Sequence, residues 1–185
     1  MYFTIAAVIL CTTVMSWYLL TFNSLVGARN AVDQAWSHIE VELKRRLDLV
    51  QNLVEIAKGY ARHERETFTQ VAAIRGRQRP FSDASAANSV EPGLAQTIGR
   101  IMVLAENYPQ LRADQSYLSL QKELSGTEDR IAERRHAYNQ TVNVYRNLLE
   151  SIPSNIVANV QNMPPRSYFD VPDAVVEHPP TVNLT

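Results

Sequence analysis

The sequence predicts an all-α protein in which an N-terminal transmembrane helix is continuous with a long helix of an elongated three-helix antiparallel bundle. Three observations predict it. Met1 to Ala28 carries no charged side chain, apolar residues then recur at spacings of three and four, and Asn23 to Gln78 contains no proline to interrupt a helix. A chain of 185 residues has room for an anchor and one domain that buries a core without disulfides or metals. The expected division is a transmembrane anchor at 2–22, a helical bundle domain at 23–160 with a loop at 80–92, and a proline-rich flexible tail at 161–185.

Tyr2 to Phe22 is apolar apart from small hydroxyl and thiol side chains that can bond back to helix carbonyls. Its length, roughly 31 Å as a helix, matches the hydrocarbon core of a bilayer. Tyr2 and Phe3 mark one end, and Trp17, Tyr18 and Phe22 the other, as expected for rings at headgroup level. A cleaved signal peptide has a basic start and a shorter apolar run, and this segment has neither. A lipoprotein is excluded by Leu10, which precedes Cys11 where a small residue is needed. Arg29 is the first basic residue, and on that single charge the N-terminus is placed outside and the body in the cytoplasm, at the cell inner membrane.

The body begins as one helix with a stripe at Val32, Trp36, Ile39, Leu43, Leu47, Val50, Val54, Ala57, Ala61, Phe68 and Val71. Glu40 with Lys44 and Glu42 with Arg46 are expected to pair along its exposed faces. From Arg29 to Arg79 such a helix extends roughly 75 Å, so the body is expected to be a rod. Pro80 to Pro92, rich in Ser, Ala and Asn, reads as a loop. Gly93 to Asn107 makes a second helix through Leu94, Ile98, Ile101 and Leu104, and Tyr108-Pro109 stops it.

Asp114 is placed to cap a third helix from about Gln115 to Ser151. Its stripe runs Leu118, Gln121, Leu124, Glu128, Ile131, Arg135, Tyr138, Val142, Tyr145 and Leu149, with the polar members at the stripe's edge or in buried pairs. Pro153 ends it, Asn155 to Val160 adds a turn or two, and the remainder is extended or disordered. Turns at 80–92 and 108–114 are both long enough to reverse the chain, giving an up-down-up path; a nearly continuous second and third helix is the alternative.

The net charge of −1 gives no pull toward nucleic acid. The chain has 15 Arg and 3 Lys, and arginine is the residue suited to planar pairing with carboxylates. Lys44, Arg45 and Arg46 on the first helix are therefore expected to face Glu123, Glu128 and Asp129 on the third, fixing helix register. Trp36 and Tyr138 are expected in the core, and Asn52 and Asn139, beside the apolar stripes, are candidates for cross-helix hydrogen bonds.

Catalytic and metal chemistry find no set of residues. His63-Glu64 begins a zinc-protease pattern, but Thr67 stands where the second histidine belongs. Glu133-Arg134-Arg135-His136 has the Glu-x-x-His spacing of a di-metal bundle only once, and His38, His136 and His178 are scattered. The lone Cys11 permits no internal disulfide. No cofactor is expected.

Several ordered motifs resemble the LemA family. They are Asn23-Ser24-Leu25-Val26, Val32 to Arg46, Asp48 to Tyr60 with His63-Glu64, Tyr108-Pro109-Gln110-Leu111-Arg112-Ala113, Leu120 to Leu124, Thr127 to Ile131, and Tyr138-Asn139 with Val142 and Tyr145. The resemblance implies a bacterial membrane-anchored helical bundle without established enzymatic activity or cofactor, in a family often encoded beside membrane metalloproteases or small membrane proteins. Three positions depart from it: Gln51 stands where proline is common, Arg146 where asparagine is usual, and Gln161-Asn162-Met163 replaces an aromatic-glycine ending.

Two functions follow as expectations. One is a non-enzymatic structural scaffold, a homo-oligomer of parallel rods, because a short second helix leaves apolar stripe uncovered on the longer two. The other is an adaptor for a membrane enzyme such as a metalloprotease, contacting it through 80–92 or the tail.

Overall fold

The structure, a computed structural model, describes residues 1–60 and 81–170. Among them every element is helical: α1 (Tyr2–Tyr60), α2 (Ala84–Asn107), α3 (Pro109–Arg112), α4 (Gln115–Glu150) and α5 (Ser154–Val160). The expected stripe positions Ala61, Phe68 and Val71, together with His63, Glu64 and His178, lie outside the described residues.

The first part of α1 is long and apolar enough to cross a membrane, and none of its most apolar stretch is buried. Its hydroxyls turn inward to the helix. Thr4 donates to the Met1 carbonyl, and Thr12 and Thr13 both donate to that of Ile9, at 2.7–2.9 Å, so these three hydroxyl hydrogens need no outside partner. Farther along, buried side chains recur every seven residues in two series. Leu25, Val32, Ile39, Arg46 and Leu53 form one, and Trp36, Leu43, Val50 and Ala57 the other. A period of 3.5 keeps one seam of a helix facing its neighbours. On α4 the same period appears at Tyr117, Leu124, Ile131, Tyr138 and Tyr145. Tyr117 is buried and Leu118 exposed, so the α4 stripe begins one residue earlier than its apolar spacing indicates.

The chain forms two compact units. Unit 1 comprises Met1–His38 and Arg134–Tyr168. In it α1 and α4 run antiparallel, because Trp36 meets Tyr138 edge-on at 5.3 Å while Leu25, eleven residues earlier, shares a cluster with Leu148 and Leu149. Val157 and Ala158 of α5 complete that cluster with Tyr18, Phe22 and Met163. The end of α5 has the hydrogen bonds of a Schellman cap: Met163 N–H donates to the Ala158 carbonyl and Asn162 N–H to that of Asn159. Asn162 takes the left-handed conformation this requires, φ 48°.

Unit 2 comprises Ile39–Glu133 and Phe169–Thr185. Here Glu42 pairs with Arg130, Arg45 with Glu123, and Tyr60 with Asp114, so α1 and α4 are again antiparallel. Arg46 pairs with Glu91 of α2, and the chain then advances through α2 and α3 to Asp114, which sits beside Tyr60. Within this unit α2 therefore runs in the direction of α1 and α4 returns. This corrects the expected up-down-up path. Tyr108 and Pro109 interrupt the helix without reversing it: α3 follows directly on α2, and the reversal comes at Ala113–Asp114, where Asp114 caps α4 by accepting from Ser116 and Tyr117 N–H.

Two other expectations are corrected. Residues 84–92 belong to helix α2 and form no loop. Asp83 caps that helix through the Ala86 N–H at 2.8 Å, and the Ala-Ser-Ala-Ala start has the helix propensity to carry the chain through Pro92. Residues 163–168 are extended, as read from the sequence, yet side-chain bonds hold them within unit 1, so they are no flexible tail there.

Candidate functional site

Arg46 occupies a seam position on α1, between Leu43 and Val50, with its side chain 7% exposed. A charge there is costly to desolvate unless carboxylates meet it. Two do. Arg46 Nη1 donates to Glu91 on α2, and Nε lies 2.7 Å from Glu128 on α4, so one guanidinium fork joins three helices of unit 2. Thr127, fully buried, donates to the Glu123 carbonyl and accepts from Arg130 Nη2, while Arg130 Nε reaches Glu42 at 3.0 Å.

Of the residues expected in the ion-pair network, Arg46 is at its centre with Glu128, and Arg45 meets Glu123 at 2.5 Å in a half-exposed pair. Lys44 lies outside it, paired with Glu40 one turn back at 2.6 Å. Asp129 is exposed and makes no ion pair among the described residues. The expected Glu42–Arg46 pair does not form, because Arg46 turns into the seam and Glu42 toward Arg130. Asn52 is exposed and therefore makes no buried cross-helix bond, and Asn139 is half-buried.

Tyr60 donates to Asp114 Oδ2 at 2.8 Å. That bond, followed by those from the Tyr117 and Ser116 N–H groups, holds the Asp114 carboxyl below its ordinary range, and acceptance by Asp114 raises the Tyr60 hydroxyl above its own. Arg45 is likewise raised, first by its hydrogen bond to Glu123.

In unit 1 the extended segment after α5 is fastened at four places. Tyr145 donates to the Pro164 carbonyl at 3.0 Å and Tyr138 to that of Ser167 at 2.8 Å. Arg166 pairs with Asp33 at 2.8 Å, and the Arg146 guanidinium lies 5.2 Å over the Tyr168 ring. Trp36 and Tyr138 are both buried, and burial raises the Tyr145 hydroxyl. These bonds order backbone and join elements; they present no nucleophile beside a base.

A family model described as the LemA family matches residues 35–184. The chain belongs to the LemA family. Among relatives of this LemA family chain, Magnetosome protein MamQ 2 of Paramagnetospirillum magneticum is 25% identical over 82% of this chain and 65% of its own length. Magnetosome protein MamQ of Magnetospirillum gryphiswaldense is 23% identical over the same shares. Protein LemA of Metamycoplasma hominis is 25% identical over 74% of this chain and 63% of its own. The chain thus spans slightly less than two thirds of these relatives' length.

Glu91, Arg130, Asp33, Arg166 and the Tyr60–Asp114 pair were not singled out by the sequence reading. Glu91 was hidden by its place between apparent loop residues and a proline. Arg46 carried a signal in the heptad count, since it falls seven residues after Ile39 and before Leu53.

Proposed function

We propose that this LemA family member is a non-enzymatic scaffold, anchored by a single pass in the bacterial inner membrane and assembled with further copies of itself as parallel helical rods. The observation that carries the reading is the change of character along α1. Its first part is apolar with the most apolar stretch wholly unburied, and without a break in the helix it becomes a seam of buried residues every seventh position. A lipid-exposed helix that leads into a packed body is what a membrane-planted support needs. The body's polar contacts support a structural role, since they join helix to helix. Val41, Met102, Val103 and Leu118 are apolar and exposed on the body, and are the surfaces offered for assembly. The MamQ relatives are named for the magnetosome rather than for a reaction, which fits this reading.

The N-terminus is proposed outside and the body in the cytoplasm, on the charge of Arg29. Protease protection in spheroplasts tests it: a body digested from outside overturns that orientation. The alternative is an adaptor for a membrane enzyme such as a metalloprotease, whose contact at 84–92 would be a helix surface in place of a loop.

The decisive experiment is the mass of the full chain in mild detergent over a range of concentrations. A particle of many 20.9 kDa copies supports the scaffold, and a monomer at every concentration overturns self-assembly.

A further inference from the structure

The end of unit 1 beside the anchor carries an apolar face with no cover. Ile152, Ile156 and Val160 are 83%, 57% and 65% exposed, and their spacing of four places Ile156 and Val160 on one face of α5 with Ile152 just before it. The opposite face of α5 is committed: Val157 and Ala158 pack with Leu25, Tyr18 and Phe22. Gln161 Nε2 donates to the Tyr18 hydroxyl at 2.6 Å, so the end of α5 is tied to the ring that closes the apolar part of α1.

We infer that α5 is a lipid-contacting element, whose Ile152–Ile156–Val160 face sits in the headgroup layer of the membrane around the anchor. The inference rests on the anchor reading and deepens it. If Tyr18 and Trp17 lie at headgroup level, then α5, bonded to Tyr18 and packed on Phe22, lies at that level too. The interfacial layer surrounds the anchor on every side, so side chains exposed at that height meet lipid. Charge agrees with the placement. Residues 151–165 contain no charged side chain, as residues 1–28 do not, and such a segment enters the headgroup boundary without desolvating an ion. The continuity of these two uncharged surfaces through Tyr18 and Gln161 favours lipid over a second copy of the chain.

The full-length protein, reconstituted in phosphatidylcholine–phosphatidylglycerol vesicles, tests this with an environment-sensitive fluorophore at single cysteines. Native Cys11 reports the anchor. Ile156→Cys and, as a solvent control, Ser37→Cys are each made together with Cys11→Ser. The expected result is deep-lipid quenching at 11, quenching at 156 by lipids carrying the quencher about 5–10 Å below the headgroup boundary, and aqueous iodide quenching alone at 37. Quenching at 156 by iodide alone, with position 11 still deep, overturns the inference and leaves the anchor standing. Protection at 156 that depends on protein concentration and is insensitive to lipid-borne quencher also overturns it, since a second copy then covers the face. Failure of deep quenching at 11 overturns the anchor and this inference together. Ile156→Asn, labelled instead at Val160→Cys, is expected to shift that label toward iodide without altering position 11.

Discussion

Arg46 on α1 and Glu91 on α2 form an ion pair inside unit 2, with side chains 7% and 15% exposed, and Glu128 of α4 shares the same guanidinium. Removing the cation leaves the largely buried Glu91 carboxylate without its partner, with the half-exposed Glu128 carboxylate nearby. Arg46→Ala is therefore expected to destabilise the body by about 3–5 kcal/mol. Glu91→Ala should cost less, because Arg46 keeps Glu128. Arg45→Ala, whose pair is half-exposed, should change little. Denaturant unfolding followed by circular dichroism in detergent checks the order Arg46 > Glu91 > Arg45; equal effects at 45 and 46 would show that burial is not what matters.

The Tyr60–Asp114 bond makes a pH prediction. Asp114 is lowered, chiefly by that bond, so its contribution to stability is complete above the unfolded carboxyl value of about 3.9 and is lost as pH falls through the lower folded value. Tyr60 is raised, so its contribution is complete below about 10 and is lost as pH rises through the higher folded value. Tyr60→Phe should lower stability at neutral pH and flatten the alkaline limb. The measurement is unfolding midpoint against pH, and an unchanged alkaline limb in the variant contradicts the assignment.

Tyr145 and Tyr138 fasten residues 164–168 through their hydroxyls alone, so phenylalanine at either position keeps the packing and removes the tie. Each change should cost about 1 kcal/mol. Together they should raise amide exchange and proteolysis at 164–168 while exchange in α2 stays as it was.

Asn162 pays for its left-handed backbone in conformational strain, and glycine relieves it. Asn162→Gly is expected to stabilise unit 1 slightly and Asn162→Ala to destabilise it by about 1 kcal/mol. Thermal melting of the two variants should bracket the parent; the reverse order would mean that the Asn162 side chain, not its backbone, matters.

Pro92, well inside α2, removes one backbone donor, so Pro92→Ala should raise helix stability by up to about 3 kcal/mol. A loss instead would show that the proline shapes the α2 surface that presents Glu91.

Much of the fold was legible in local pattern. Apolar spacing and the lack of prolines gave the long first helix, Asp114 gave the start of α4, and Tyr108-Pro109 gave the end of α2. The helical start at Ala84 was not, because proline and small polar residues are read as breakers and the cap bond from Asp83 that outweighs them is visible only in three dimensions. Arg46 facing Glu128 was expected, but its pairing with Glu42 was not met and Glu91 was missed, because a carboxylate inside an apparent loop gives no sign that it reaches a buried arginine on α1.

The sequence by itself determined that the protein is helical, that its first helix begins in an uncharged run long enough for a bilayer, and that it belongs with LemA proteins. Those properties reside in composition and period, which any stretch of chain carries alone. Only the tertiary structure decided the direction of α2, the pairing of Arg46 with Glu91, and the fastening of 164–168 by Tyr138 and Tyr145. These depend on which residues distant in sequence meet, and charge pairing and hydroxyl bonding have no period along the chain to announce their partners.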